Sequence, residues 1–242
     1  MKKIAFFVIV IFLATSCTKE CWQGAGEDTT EKRTLESFHQ IDIIDNFDIH
    51  FIQDSLSYVV LEGKSNLIQH IETSVSKGIL SITDNNVCKL TKGYHDNSIY
   101  IHFKSLDLIN LEGSSNLYSE DSLIFDKLFI NTNSDITTWN IKIDANKFDI
   151  QLHAVVGELT ICGKADNVYF YSSGRAHCYF KDLITKKASI NHSSQGDFYL
   201  TVSEELNLDI NHSGDLYCYG NPQKKTISVE KNSTGQAFFL TE

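Results

Sequence analysis

One proline in 242 residues, set among abundant Asn, Ser, Thr, Ile, Phe and Tyr, excludes a disordered chain and fits a β-rich one. Basic residues are scarce as well, 21 against 31 acidic. A nucleic acid partner is therefore excluded, because phosphate binding needs clustered Lys and Arg. The six cysteines contain no C-x-x-C pair; apart from Cys17, the odd set Cys21, Cys88, Cys162, Cys178 and Cys218 matches neither a zinc nor a redox motif. G-x-S-x-G, the P-loop and H-E-x-x-H are all missing, and neither a cofactor nor a metal is expected. Beyond the first residues no apolar run is long enough to span a bilayer, so membrane contact is expected through a lipid.

That lipid has a candidate site. Met1-Lys2-Lys3 is followed by an apolar run from Ile4 to Leu13 and then by Ala14-Thr15-Ser16-Cys17. A short basic start, an apolar core too short to span and small residues before a cysteine describe a bacterial lipoprotein signal, with residues 1–16 removed and Cys17 acylated; an ordinary signal cut nearby is the alternative. Removing 1–16 takes away two lysines and leaves 19 basic against 31 acidic residues, a formal charge of −12. Residues 17–36 are polar, lack apolar periodicity and read as a flexible tether.

What the chain has in quantity is repetition. Asn191-His192-Ser193 returns as Asn211-His212-Ser213, and apolar pairs two apart recur at Ile109/Leu111, Leu128/Ile130, Phe148/Ile150, Val168/Phe170, Ala188/Ile190, Leu208/Ile210 and Ile227/Val229. The interval is 19 or 20 residues throughout. A short strand-like motif at so regular a period predicts an all-β, parallel β-helix of about 20 residues per turn, a β-solenoid. A second marker, a small residue, then a mostly polar one, then an apolar one, predicts the corner of each turn: Ser115-Asn116-Leu117, Ser134-Asp135-Ile136, Gly157-Glu158-Leu159, Gly174-Arg175-Ala176, Gly196-Asp197-Phe198, Gly214-Asp215-Leu216 and Gly235-Gln236-Ala237. Its intervals alternate between long and short, which predicts a bulge at every second corner. The β-helix domain is read as 37–242, with an irregular, partly antiparallel cap and early turns over 37–105 and regular turns over 106–242. Hairpins are expected at Asp54-Ser55 and Ser76-Lys77-Gly78.

Within each turn the apolar pairs point inward and the residues between them outward. The outward series Asn131, Gln151, Tyr171, Asn191, Asn211 predicts an amide ladder along the stack. Cys178 and Cys218 fall on apolar positions and are expected to be core thiols. His192 and His212, at equivalent places on successive turns, could share a metal or could each satisfy backbone groups. Asp197 and Asp215 could form a glycosidase-like carboxylate pair or could bond backbone at their corners. Tyr169, Tyr171, Tyr199, Tyr217 and Tyr219 lie near outward positions, as a binding strip or as ordinary sheet residues. A polysaccharide lyase on this scaffold would need basic residues on a strand face, and Arg175 is the sole arginine of the regular turns.

The opening Arg33-Thr34-Leu35-Glu36-Ser37-Phe38-His39-Gln40-Ile41, the start of coiling at Gly113-Ser114-Ser115-Asn116 and the close Ser213-Gly214-Asp215-Leu216-Tyr217-Cys218-Tyr219-Gly220-Asn221-Pro222 resemble the auto-transporter adhesin, head GIN domain family of Gram-negative cell-envelope proteins. The likeness covers about residues 33–240. It implies a right-handed β-helix, adhesion to a glycan or protein, no catalytic residues, and a lipid-anchored place in the envelope, at the outer membrane. Two alternatives stand beside it, a polysaccharide-cleaving enzyme on the same scaffold and a purely structural envelope protein.

Overall fold

The computed structural model describes residues 24–87, 97–133 and 136–240. Cys17, Cys21, Cys88 and the expected corner at Ser134-Asp135 lie outside them. The chain folds into a β-solenoid of about seven turns, about 20 residues each, with a curled antiparallel sheet at its N-terminal end.

Two stacks of strands form the main walls. One contains β2 (Gln40–Ile44), β6 (Ile79–Asp84), β8 (Leu108–Glu112) and the second half of β10 (Leu123–Asn133). The other contains β3 (Asp48–Gln53), β7 (Ser98–Phe103), β9 (Asn116–Tyr118), β14 (Leu216–Tyr219) and β16 (Ala237–Leu240). The long strands β11 (Ile136–Gly174), β12 (His177–Ser194) and β13 (Phe198–Ile210) bend through both walls, and β15 (Lys224–Val229) ends the first. Pairing along both walls is parallel. Inward side chains stack in columns, as in Ile41, Ile109, Ile130 and Ile150, each at most 2% exposed. Each such side chain contributes about 1.5–3 kcal/mol by leaving water.

All the predicted inward pairs are buried except the last. Ile227 and Val229 remain 43% and 50% exposed, since β15 pairs with β13 alone. Cys178 and Cys218 are buried free thiols, and burial pushes both up, Cys218 to about 11.

Two corners and one register differ from the sequence reading. Leu117 pairs with Trp139, so the second corner is Thr137-Thr138-Trp139; Ile136, expected to point inward, is 65% exposed. Leu159 pairs with Cys178, so the fourth corner is Ala176-His177-Cys178 rather than Gly174-Arg175-Ala176. With those two moved, the intervals become 22, 20, 19, 20, 18 and 21, so the wide swing between long and short is lost, and with it the ground for a bulge at every second corner. The first position takes a residue with a Cβ at some corners and only glycine at others: Thr137 donates its hydroxyl to the Ser115 carbonyl, whereas a Cβ on Gly157 would lie 1.9 Å from the Thr137 oxygen. The register change comes where residues after Phe180 bulge: β13 slips so that Ala188, Ile190 and His192 face Leu206, Leu208 and Ile210.

The N-terminal end is more ordered than a tether and a cap of irregular turns. Residues 28–34, assigned above to the tether, form β1 (Asp28–Thr34), which pairs antiparallel with β4 (Tyr58–Lys64). No apolar alternation announces β1 because it is exposed; main-chain pairing and Arg33 hold it. The guanidinium donates to the Ile71 carbonyl at 2.6 Å and pairs with Glu31, while Lys32 sits 3.6 Å over the Tyr58 ring. β5 (Ile71–Ser76) and β6 form the expected hairpin, with Lys77 and Gly78 both at positive φ. Asp54-Ser55 closes no hairpin, for β4 pairs with β7 and not with β3. A single helical turn, α1 (Ser65–Ile68), links β4 to β5. The turn made by β2 and β3 lies between that of β6 and β7 and that of β8 and β9, so order in space departs from order in the chain.

Candidate functional site

The second wall carries one outward face along its length. Just past each corner's small residue stands an outward polar one, Asn116, Thr138, Glu158, His177, Asp197, Asp215 and Gln236, and Asp48, after Phe47, pairs with Asn116 in the same column. These side chains hold the next turn. Asn116 Oδ1 accepts the Thr138 N–H at 2.8 Å, His177 Nδ1 accepts the Asp197 N–H at 3.2 Å, Asp197 Oδ1 accepts the Asp215 N–H at 3.0 Å and Asp215 Oδ1 accepts the Gln236 N–H at 2.8 Å. Asp197 and Asp215 are thus rungs of a corner ladder that bonds main chain one turn on. This geometry answers to the backbone-bonding alternative, displaced from the residue's own turn to its neighbour's.

Two residues further along the strands of the last four turns the face turns aromatic. Tyr179, Tyr199, Tyr217 and Phe238 stack in sequence, with ring centroids 5.3, 4.7 and 5.1 Å apart and planes within 18° of parallel. The spacing is that of the strands themselves, so the sheet sets it. Desolvation first, and then the Asp197 charge, raise the Tyr199 phenol; desolvation and then Asp215 raise Tyr217, keeping both hydroxyls as donors. At the other end of the same face, Tyr100, His50 and Tyr118 stack at 4.5 and 5.1 Å, and a cavity of about 440 Å³ opens beside His50, Tyr100, Glu120 and Asp121.

The expected tyrosine strip divides between two faces. Tyr199 and Tyr217 belong to the stack, and Tyr219 lies beside it, paired with Thr201 and Leu240. Tyr169 and Tyr171 sit on the first wall, across from Ser189 and Asn191, and Tyr171 meets His153 at 5.3 Å. Tyr179, Phe238, Tyr100, Tyr118 and His50 went unremarked in the sequence. The signal was present, an aromatic ring two residues beyond the corner's polar residue, and misplacing the corner at Ala176 hid it at Tyr179. The amide ladder forms in two pieces: Asn131 Nδ2 donates to Asn110 at 3.4 Å, with Asn110 Nδ2 in turn donating to the Asp42 carboxylate at 2.8 Å, and Asn211 Nδ2 donates to Asn191 at 2.9 Å.

His192 and His212 are not equivalent. His192, two residues past inward Ile190, points inward as well and the register slip sets Ile210 over it, so it is 1% exposed with Nδ1 at 3.2 Å from Ser172 Oγ, whereas His212 is exposed and its Nδ1 accepts the Ser213 N–H. Among the described residues no group of three His, Cys, Asp or Glu side chains could hold a metal. Burial drives the His192 pKa down to about 4, against smaller opposing effects of Asp197, the Gly196 and Gly214 backbone and Asp215. Because the folded value is depressed, the neutral ring is the native form; this contribution is complete above the unfolded value of 6.5 and is lost as pH falls towards 4, roughly 3 kcal/mol in all. Urea midpoints measured from pH 7 to pH 4 should fall more steeply for the wild type than for His192→Gln, and parallel slopes would remove His192 from the account.

A family model described as "Putative auto-transporter adhesin, head GIN domain" matches residues 37–222. A crystal structure of an adhesin, so described with the same qualifier, from Bacteroides fragilis superposes with a TM-score of 0.82 at 19% identity, over 90% of this chain and 100% of that one. A protein described as lipid binding from Parabacteroides distasonis gives 0.65 at 18% identity, over 89% and 97% of the two chains. An adhesin from Parabacteroides merdae gives 0.60 at 16%, over 90% and 98%. At these identities the likeness speaks to the fold. The comparison with curated proteins gives no match.

Proposed function

The chain belongs to the auto-transporter adhesin, head GIN domain family, and on that premise we propose that it is a non-catalytic adhesin, lipid-anchored through Cys17 at the outer membrane, that binds a glycan or protein ligand. The observation that carries this reading is the continuous stack Tyr179, Tyr199, Tyr217 and Phe238 on an outward, flat sheet face. Stacked aromatic side chains with polar tips present large apolar area and hydrogen-bonding groups together, as binding surfaces do. The corner carboxylates support the non-catalytic side, since each spends an oxygen on a backbone N–H.

The anchor and the face are tested separately. Metabolic labelling with a fatty-acid analogue should mark the wild type and leave Cys17→Ser unmarked; a label retained by the variant removes Cys17 from the proposal. The Cys17→Ser chain is then screened against glycans and envelope extract, keeping residues 24–36 because β1 belongs to the fold. Tyr217→Ala should weaken whatever binding is found by about tenfold, the worth of one aromatic contact. Undiminished binding would place the site elsewhere.

A further inference from the structure

The second wall repeats more than its rings. Each of its last four turns offers the same outward pair, a polar corner side chain and an aromatic two residues on: His177 with Tyr179, Asp197 with Tyr199, Asp215 with Tyr217 and Gln236 with Phe238. A ligand that met every pair would itself have to repeat at the ring interval of 4.7 to 5.3 Å. An extended polypeptide advances about 3.3 Å per residue, so its side chains lose step with the rings within a turn or two. An α-1,4-linked glucan curls away from a straight column. An extended β-1,4-linked glycan is straight, and each sugar advances it by close to one strand spacing. Deepening the adhesin reading, on which this rests, we propose that the face binds an uncharged, extended β-1,4-linked glycan laid along the solenoid axis, one sugar to each turn.

The chemistry of the face fits that occupant. Stacking covers the ring faces with one another, so what projects is ring edge and phenolic hydroxyl, a row of apolar contacts alternating with donors. Equatorial sugar hydroxyls find Tyr179, Tyr199 and Tyr217 on one side and the corner row on the other. Asp197 and Asp215, on a chain of net charge −10, repel acidic polymers and leave neutral ones. The row has a limit, for on the turn before Tyr179 the ring position is held by Thr160. Contact therefore accumulates over four sugars and then stops.

Calorimetric titration of the full mature chain carrying Cys17→Ser tests this with cello-oligosaccharides and N-acetylchito-oligosaccharides from disaccharide to hexasaccharide, and malto-oligosaccharides as the α-linked control. Affinity should climb with each sugar to the tetrasaccharide and level off, with no binding of the α-linked series. Tyr199→Ala and Tyr217→Ala should each lose about tenfold, and Tyr171→Ala, on the first wall, nothing. Tyr217→Phe keeps the stack without the hydroxyl and should fall between, which separates lost contacts from lost fold; melting curves of all variants check the same point. Absence of β-1,4-glycan binding, affinity indifferent to chain length, or equal binding of maltohexaose would overturn the inference. If an envelope protein is instead bound through Tyr217, the glycan inference fails and the adhesin reading stands; if nothing binds through this face, both fail.

Discussion

Ile190→Asp should cost the fold on the order of 4 kcal/mol or more. Ile190 is 1% exposed and stacks between Phe170 and Leu208 in the inward column of the first wall. The replacement removes a buried aliphatic side chain, by itself worth about 2–5 kcal/mol, and sets in its place a carboxyl with no partner among hydrocarbon. The adjacent substitution Asn191→Asp makes the control. Asn191 points outward, and its Oδ1 accepts from Asn211 Nδ2 at 2.9 Å and Ser193 Oγ at 3.0 Å. Aspartate keeps that acceptor, so the loss should stay below about 1 kcal/mol. Urea denaturation of both variants decides the matter, and similar losses would mean that the inward and outward faces have been exchanged.

Gly157→Ala should cost about 2–4 kcal/mol, a large effect for one methyl group. Gly157 has φ +139, a conformation open to glycine and strained for alanine, and its Cβ would lie 1.9 Å from the Thr137 carbonyl oxygen. That oxygen belongs to the turn beneath and cannot swing aside as a side chain would. The two turns must part at the corner, and the parallel ladder on both sides of it must stretch. Gly24→Ala, where no atom lies within 4 Å of the added carbon, should leave the melting temperature unchanged. A small loss at Gly157 would show that the corner column is loosely packed.

The period, the inward pairs and the existence of a cap were legible because burial on a sheet writes an apolar residue at every second position, and stacking repeats that text each turn. Corners were legible where serine or glycine stood at the small position, as at Ser115 and Gly157, but Gly174 drew the fourth corner two residues early. Thr137 and Ala176 do the same work by being small, and nothing in an isolated Thr or Ala says so. The slip between β12 and β13 was hidden by its own disguise: the repeated Asn-His-Ser motif argued for a 20-residue step, while the bulge after Phe180 made the ladder step 18, so that Ile210 and not His212 covers His192. β1 left no trace because a strand held by main-chain pairing and an arginine needs no apolar pattern. The aromatic stack could be seen only after the corners were right, since its rule is counted from them.

The turn of β2 and β3, enclosed by strands that come later in the chain, sets an order of events. A later strand finds its neighbour about 20 residues back, as Asn211 finds Asn191, while Asn110 meets Asp42 across 68 residues. If the polypeptide crosses a membrane amino end first, its oldest turn waits with one edge bare until β6 and β7 have followed and with the other bare until residue 118 has followed, and such long closures are slow. The later turns can wind up locally in the meantime. Assembly is then expected to begin away from the amino end and to finish there, with β1 and Arg33 shutting the sheet like a latch, and until that moment an edge stands open to unintended strand pairing.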